Sequence, residues 1–234
     1  MAIVYDSASN SGYQTAQSSY SWSHNAIANE IDNVLIVAVS MLSVAGNQVT
    51  GITYDGNALT KVRSDTSAST VVRSELWYLV NPPIGTKTIV VTLSTATDSV
   101  AGAFSLHNVF QGNPIDNSNG TTGINLTDDS IYVNLTTKTR NTFVLGVIAT
   151  SDTSFTAGGY IQQWQISGAL GRADGGYSGA QAAIGTVPVM ETDADVTGTW
   201  TVSALSLLPS GSTPGNKYRN ITVGNGMSSS EGST

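Results

Sequence analysis

The sequence predicts an all-β protein, and three observations predict it. Ser and Thr together are 59 of 234 residues, with 24 Gly and 17 Asn, a mixture in which Thr favours strands while Gly and Asn favour turns. Apolar runs of strand length recur along the chain, each bounded by Asn, Asp, Gly or Pro. No window carries a 3.6-residue apolar period over two turns that outweighs the strand pattern.

The strands follow in order. Ser19–His24 (SYSWSH) alternates aromatic with polar, as a half-buried strand does. Ala26–Asp32 is the best candidate for a short helical turn. Asn33–Leu42 (NVLIVAVSML) is almost continuously apolar, as expected of a strand covered on both faces. Val49–Tyr54 leads into Asp55-Gly56, which predicts a type I′ hairpin because both central residues of that turn need positive φ. Ala58–Val62 returns from it. Ser74–Val80 (SELWYLV) ends at Asn81-Pro82-Pro83. Thr86–Leu93 and Val100–Val109 follow, then a turn-rich stretch over 111–122. Asp129–Thr136, Asn141–Thr150, Tyr160–Ser167 and Thr199–Leu208 complete the pattern, with Gly168–Ala183 too rich in Gly and Ala to assign.

An internal echo runs through these strands at a spacing of about 100 residues. Asn33–Ser40 resembles Asn141–Ile148, Ile84-Gly85-Thr86 recurs as Ile184-Gly185-Thr186, and Ala103–Leu106 recurs as Ala204–Leu207. Residues 1–208 are expected to form one β-sandwich. From Pro209 onward the chain turns to Gly, Ser and Thr, so 209–234 read as a flexible arm.

Net charge and composition exclude several roles. Charged residues are 11% and the net charge is −7, with nine basic residues scattered singly, which argues against phosphate-directed nucleic-acid binding. No apolar run approaches the roughly 18 residues of a membrane helix. There is no cysteine, hence no disulfide, thiolate metal site or cysteine nucleophile. Met1–Asp6 has neither the basic nor the apolar region of a secretory signal.

Three stretches carry a resemblance. Ser21-Trp22-Ser23-His24, then VTGITYDGNALTKV at 49–62, then ELWYLVNPPIGTKTIVVTL at 75–93 resemble, in that order, a β-sandwich module found in uncharacterised bacterial surface and phage proteins. The match is good over about 20–110 and loose over 130–208. It implies a concanavalin-like or jelly-roll sandwich, and it brings no catalytic residues.

Candidate sites are few. Ser23-His24 suggests a hydrolase pair, yet no Gly-x-Ser-x-Gly elbow accompanies it, so a strand histidine capped by hydroxyls is the expectation. His107 reads as a strand residue facing solvent or an interface. Arg73 and Glu75 share a strand face and read as a surface pair. Carboxylates cluster at Asp116, at Asp128-Asp129, and at Glu191, Asp193 and Asp195; the last trio, alternating on one strand, is the candidate calcium site. Trp77 and Trp200 are expected in the core, with Tyr78 outside. Tyr13, Tyr20, Tyr160 and Trp164 are the aromatics expected to be exposed and able to stack on a sugar. In the arm, Lys217–Val223 alternates like a strand, and Tyr218, Arg219, Ile221 and Val223 are its candidate interface residues.

The sequence thus points to a non-enzymatic structural protein of a virion, a phage capsid decoration or tail-associated sandwich that self-associates and meets other virion proteins. The alternative is a carbohydrate-binding or adhesion module of a secreted surface protein, calcium-assisted. Neither membrane nor nucleic acid is an expected partner.

Overall fold

A computed structural model describes residues 1–26, 31–42, 46, 48–67, 72–151, 156–157, 159–168 and 171–212, with the backbone alone for 125–130, 156–157 and 191–197. These residues form fourteen strands in two antiparallel sheets, the sandwich that the composition predicts. The first sheet holds β1 (Val4–Asn10), β2 (Gln14–Ala26), β3 (Val34–Leu42), β4 (Val49–Tyr54), β5 (Asn57–Ala58), β6 (Thr60–Thr66), β7 (Val72–Val80) and β8 (Gly85–His107). The second holds β9 (Ile115–Thr137), β10 (Thr142–Thr150), β11 (Thr156–Ala157), β12 (Ile161–Gly168), β13 (Gly171–Gln181) and β14 (Gly185–Leu207). Of the predicted helical turn, Ala26 ends β2 and 27–30 lie outside the described residues.

Two of the three 23-residue strands, β8 and β14, organise the sheets. Gly85–Leu93 of β8 pairs with β2 and β4, whereas Ser99–His107 pairs with β1 and β3. The strand therefore serves two layers, an outer one (β2–β8–β4) and an inner one (β1–β8–β3–β7–β6). β14 repeats the arrangement. Gly185–Val189 pairs with the end of β9, and Thr199–Leu207 pairs with the start of β9 and with β10, which continues to β13 and β12. Thus β9 does in one strand what β1 and β2 do together.

The two halves are repeats, and the echo in the sequence is structural. Ile36 opposes Phe104 while Leu145 opposes Leu205, so Ile36 corresponds to Leu145. That is one position away from the alignment the sequence echo suggests. The correction matters, because a one-residue slip exchanges the faces of a strand. Ile36, Phe104, Leu145 and Leu205 all belong to the central core between the two inner layers. Leu35, Val37, Trp77, Ile89 and Ala103 pack between the layers of the first repeat. Val144, Ile148, Val189, Trp200 and Ala204 do so in the second.

Four layers leave β3 and β10 with both faces covered, which is why they read as unbroken apolar runs. The same layering corrects the placement of Tyr78. Trp77 is in the core as expected, but Tyr78 is half-buried, packed against the central core rather than fully exposed. Two segments without a strand pattern also pair: β1, and the start of β9 within the turn-rich stretch.

The hairpin forms as expected, with Asp55 at φ 49° and Gly56 at φ 81°. A Cβ at Gly56 would meet nothing within 4 Å, so Gly56→Val carries a backbone cost alone. It should destabilise by about 1 kcal/mol or more, read as a lower urea midpoint. An unchanged midpoint would refute the strain argument.

Candidate functional site

Each repeat sinks one carboxylate into its own core, at corresponding positions. Val39 opposes Glu75 on β7, and Ile148 opposes Asp174 on β13. The echo around them is Arg73-x-Glu75-x-x-Tyr78 against Arg172-x-Asp174-x-x-Tyr177. Both carboxylates are fully buried.

Glu75 accepts from Arg73 Nε at 2.7 Å, from Trp77 Nε1 at 3.1 Å and from the Val49 N–H at 3.3 Å, while Lys61 Nζ stands 3.0 Å away. Lys61 also lies over the Trp77 ring, 4.8 Å from its centroid. Asp174 accepts from Arg172 Nε and Nη2, from the Tyr160 hydroxyl at 2.9 Å and from Gln162 Nε2. Lys61 opposes Trp77, and Gln162 opposes Gly176, so lysine and glutamine also hold matching places. Burial, with the Asp174 charge beside it, pushes the Tyr160 hydroxyl well above its ordinary value. The expected surface pair of Arg73 and Glu75 is therefore an internal one, because the Glu75 face of β7 is covered by the outer layer.

His24 is the third buried polar centre. Ser9 Oγ lies 2.8 Å from Nδ1 and Ser105 Oγ 2.7 Å from Nε2, while Trp22 Nε1 donates to Ser9 Oγ at 2.9 Å. The ring is 1% exposed and Ser105 is 3% exposed. Ser23 is exposed and alternates with buried His24 along β2, so the suggested pair is not brought together, and the hydroxyl-capped strand histidine is what the fold contains. The second repeat places Leu135, opposite Val187, where the first places His24, opposite Lys87. The slot therefore has no fixed chemistry.

Burial lowers the His24 pKa to about 4, against about 6.5 in the unfolded chain. The fold prefers the neutral ring, so its contribution is complete above pH 6.5. It is lost as pH falls towards 4, at no more than about 1.4 kcal/mol per pH unit. Urea midpoints measured from pH 7 to 4 should fall more steeply in wild type than in His24→Ala; parallel curves would refute the assignment. The same variant should remain folded and retain any assembly.

The remaining predicted residues are dispersed. Tyr20 and Tyr160 are each 8% exposed and Trp164 is 4% exposed. The expectation of exposed, sugar-stacking rings fails for these three. Tyr13 is half-buried, donates to Asp98 Oδ2 at 2.6 Å, and packs against the Gly168 backbone. Asp116 accepts from the Lys138 N–H and from Ser206 Oγ. Glu191, Asp193 and Asp195 lie in β14, where Asp193 pairs with Ser130 and Thr156; their side chains lie outside the described residues. Tyr218, Arg219, Ile221 and Val223 also lie outside them. Among the described residues, no three His, Asp or Glu side chains gather as a metal site would require.

One end of the molecule exposes isoleucines among polar residues. There Val109 bridges Pro209, and a shallow depression opens between Ile31–Asn33 and Asn81–Ile84. Ile31 is 55% exposed, and the repeat-related Ile84 and Ile184 are 49% and 48% exposed. Sequence reasoning had the Ile-Gly-Thr echo but gave it no surface role. Compared with protein-family models and with curated proteins, the chain matches none.

Proposed function

We propose that this protein is a non-enzymatic structural component of a virion, a phage capsid decoration or tail-associated β-sandwich that works by protein–protein assembly. The observation that carries the reading is the exposed pair Ile31 and Ile84 at one depression, with Ile184 exposed at the position of the second repeat that corresponds to Ile84. Exposed isoleucines gathered at a depression, with the same position exposed again in the second repeat, favour a contact role over a solvent face. The interior supports the same reading: Glu75, Asp174 and His24 spend their hydrogen-bonding capacity within the fold. A low-charge, cysteine-free chain fits a protein folded in a reducing cytoplasm and used outside the cell.

The carbohydrate-binding alternative rested on four exposed aromatics, of which three are buried. The test is direct. Capsid or tail genes beside this one, and the chain found by mass spectrometry in purified particles, are the expected results. A signal-bearing multidomain reading frame, or retention on a glycan array, would overturn the proposal.

A further inference from the structure

In their outer layers the two repeats differ at one strand, and the difference leaves a place for another. In the first repeat the outer layer has three members, because Gly51–Tyr54 of β4 pairs with Thr92–Ile89 of β8. The Asp55 N–H also donates to the Thr88 carbonyl at 3.0 Å. In the second repeat the counterpart of β4 is β11, two residues long, which pairs only with Thr192 and Asp193. Among the described residues, no strand pairs with the side of Gly185–Met190 that faces away from β9; of these, Pro188–Met190 match Thr88–Val90, which β4 and the Asp55 N–H meet in the first repeat.

That edge is fit for pairing. Gly185 turns its N–H to Thr137 on β9, so Thr186 and Pro188 turn their backbone groups the other way. Pro188 lacks an N–H, but at the corresponding Thr88 it is the carbonyl that meets the Asp55 N–H. Proline here keeps the group that pairing uses and sits where an edge strand tolerates it. Beneath the edge, Val189 and Met190 are fully buried and Val187 packs partly against the core of this repeat.

We infer that this edge of β14 receives Lys217–Val223 from a neighbouring copy of the chain. Ile221 and Val223 recur two residues apart, as do Ile52 and Tyr54, the β4 side chains that seal the first repeat. Antiparallel to β14, the arm brings its cationic start, Lys217 and Arg219, to the end where Glu191 and Asp193 follow Met190.

Reach selects the donor. The described chain leaves at Ser212, just after the Ser210 N–H bonds the Asn108 carbonyl, at the end where Gly185 lies. An antiparallel strand must enter beside Met190, about 17 Å further along at 3.3–3.4 Å per residue. The five steps from Ser212 to Lys217 span at most about 18 Å when fully stretched. Nothing is left for crossing from one strand to the other, so in this antiparallel register a chain cannot fill its own edge, which points to a second copy as the donor.

The inference rests on the assembly reading, and complementation in the full chain separates the two. Thr186→Pro removes the outward N–H of the edge and leaves the arm intact. The double variant Ile221→Asp, Val223→Asp disables the arm and leaves the edge intact. Light scattering should give an oligomer for wild type, a monomer for each variant alone, and a one-to-one dimer when the two are mixed. Recovery on mixing excludes misfolding as the cause of the losses. Variants that each assemble like wild type would overturn the edge and the arm while assembly stands. A mixture that stays monomeric would overturn the edge–arm pairing. A monomeric wild type with arm amides protected from hydrogen exchange would overturn the exchange between copies. A monomeric wild type without such protection, absent from particles, would overturn both readings.

Discussion

Replacing Glu75 by alanine should cost the fold about 3–5 kcal/mol, the range for breaking a buried ion pair from one side. Two cations converge on this carboxylate, Arg73 at 2.7 Å and Lys61 at 3.0 Å, and two neutral donors, Trp77 Nε1 and the Val49 N–H, complete its shell. Removal leaves Arg73 with a side chain only 14% exposed and little water to replace its partner. Lys61, at 32% exposed, can turn outward, so the loss falls mainly on Arg73. A second variant isolates the cause. Arg73→Met with Glu75→Leu removes both charges, and buried pairs replaced by apolar residues of similar volume are often neutral. This double variant should recover more than half of the loss, read as the urea midpoint at constant slope. A loss under about 1 kcal/mol for Glu75→Ala would refute the account. So would a double variant no better than the single.

Why this cluster escapes a sequence reading is instructive. Alternation along Val72–Val80 shows that Arg73, Glu75 and Trp77 share a face, and that inference holds. It cannot show that the face is inside. The ordinary assumption gives a strand one wet face, and here a bent β8 brings β4 over β7, covering the second. Tyr78, on the opposite face, is half-buried because the second sheet packs there, against the central core. What was legible was the hairpin, since Asp55-Gly56 states its own geometry, and the double burial of Asn33–Leu42, since nothing polar interrupts it before Ser40.

The repeat was legible in part. Apolar matches gave the approximate spacing but misplaced β3 against β10 by one residue, because runs of Val, Ile and Leu match equally well in adjacent registers. Arg-x-acid-x-x-Tyr, with polar residues that cannot slide, fixes the register and could have been found in the sequence. The candidate sugar site failed for a related reason. Tyr160 and Trp164 look like aromatics on a half-polar strand, but β13 beside them carries Gly175 and Gly176. A Cβ at Gly176 would stand 2.4 Å from the Tyr160 ring, and one at Gly175 would stand 2.2 Å from the Trp164 ring. The glycine-rich stretch that resisted assignment is the complement of those aromatics, a strand stripped of side chains so that rings can lie on it.

Trp164 gives the second large effect. Its indole lies between the sheets, on Gly175 from its own side and Gly102 from the other; a Cβ at Gly102 would stand 2.0 Å from Nε1. In the first repeat the matching position is Arg63, opposite Leu76 as Trp164 is opposite Gly175. There the guanidinium, held by Asp65, crosses Gly120 instead. A large flat group over a bare backbone thus closes each seam, apolar in one and ionic in the other. Trp164→Ala should cost about 3–5 kcal/mol through lost contacts and the cavity left behind. Gly102→Ala should cost about 1–3 kcal/mol, because a buried, rigid ring cannot give way as the end of a flexible side chain would. Together the two losses should sum to less than their parts. The methyl added at Gly102 fills space that the missing indole vacates, and residues in direct contact couple by about 0.5–3 kcal/mol. The double-mutant cycle is read from urea midpoints of the four proteins. Losses that add to within about 0.3 kcal/mol would mean that the ring and the glycine do not share one site.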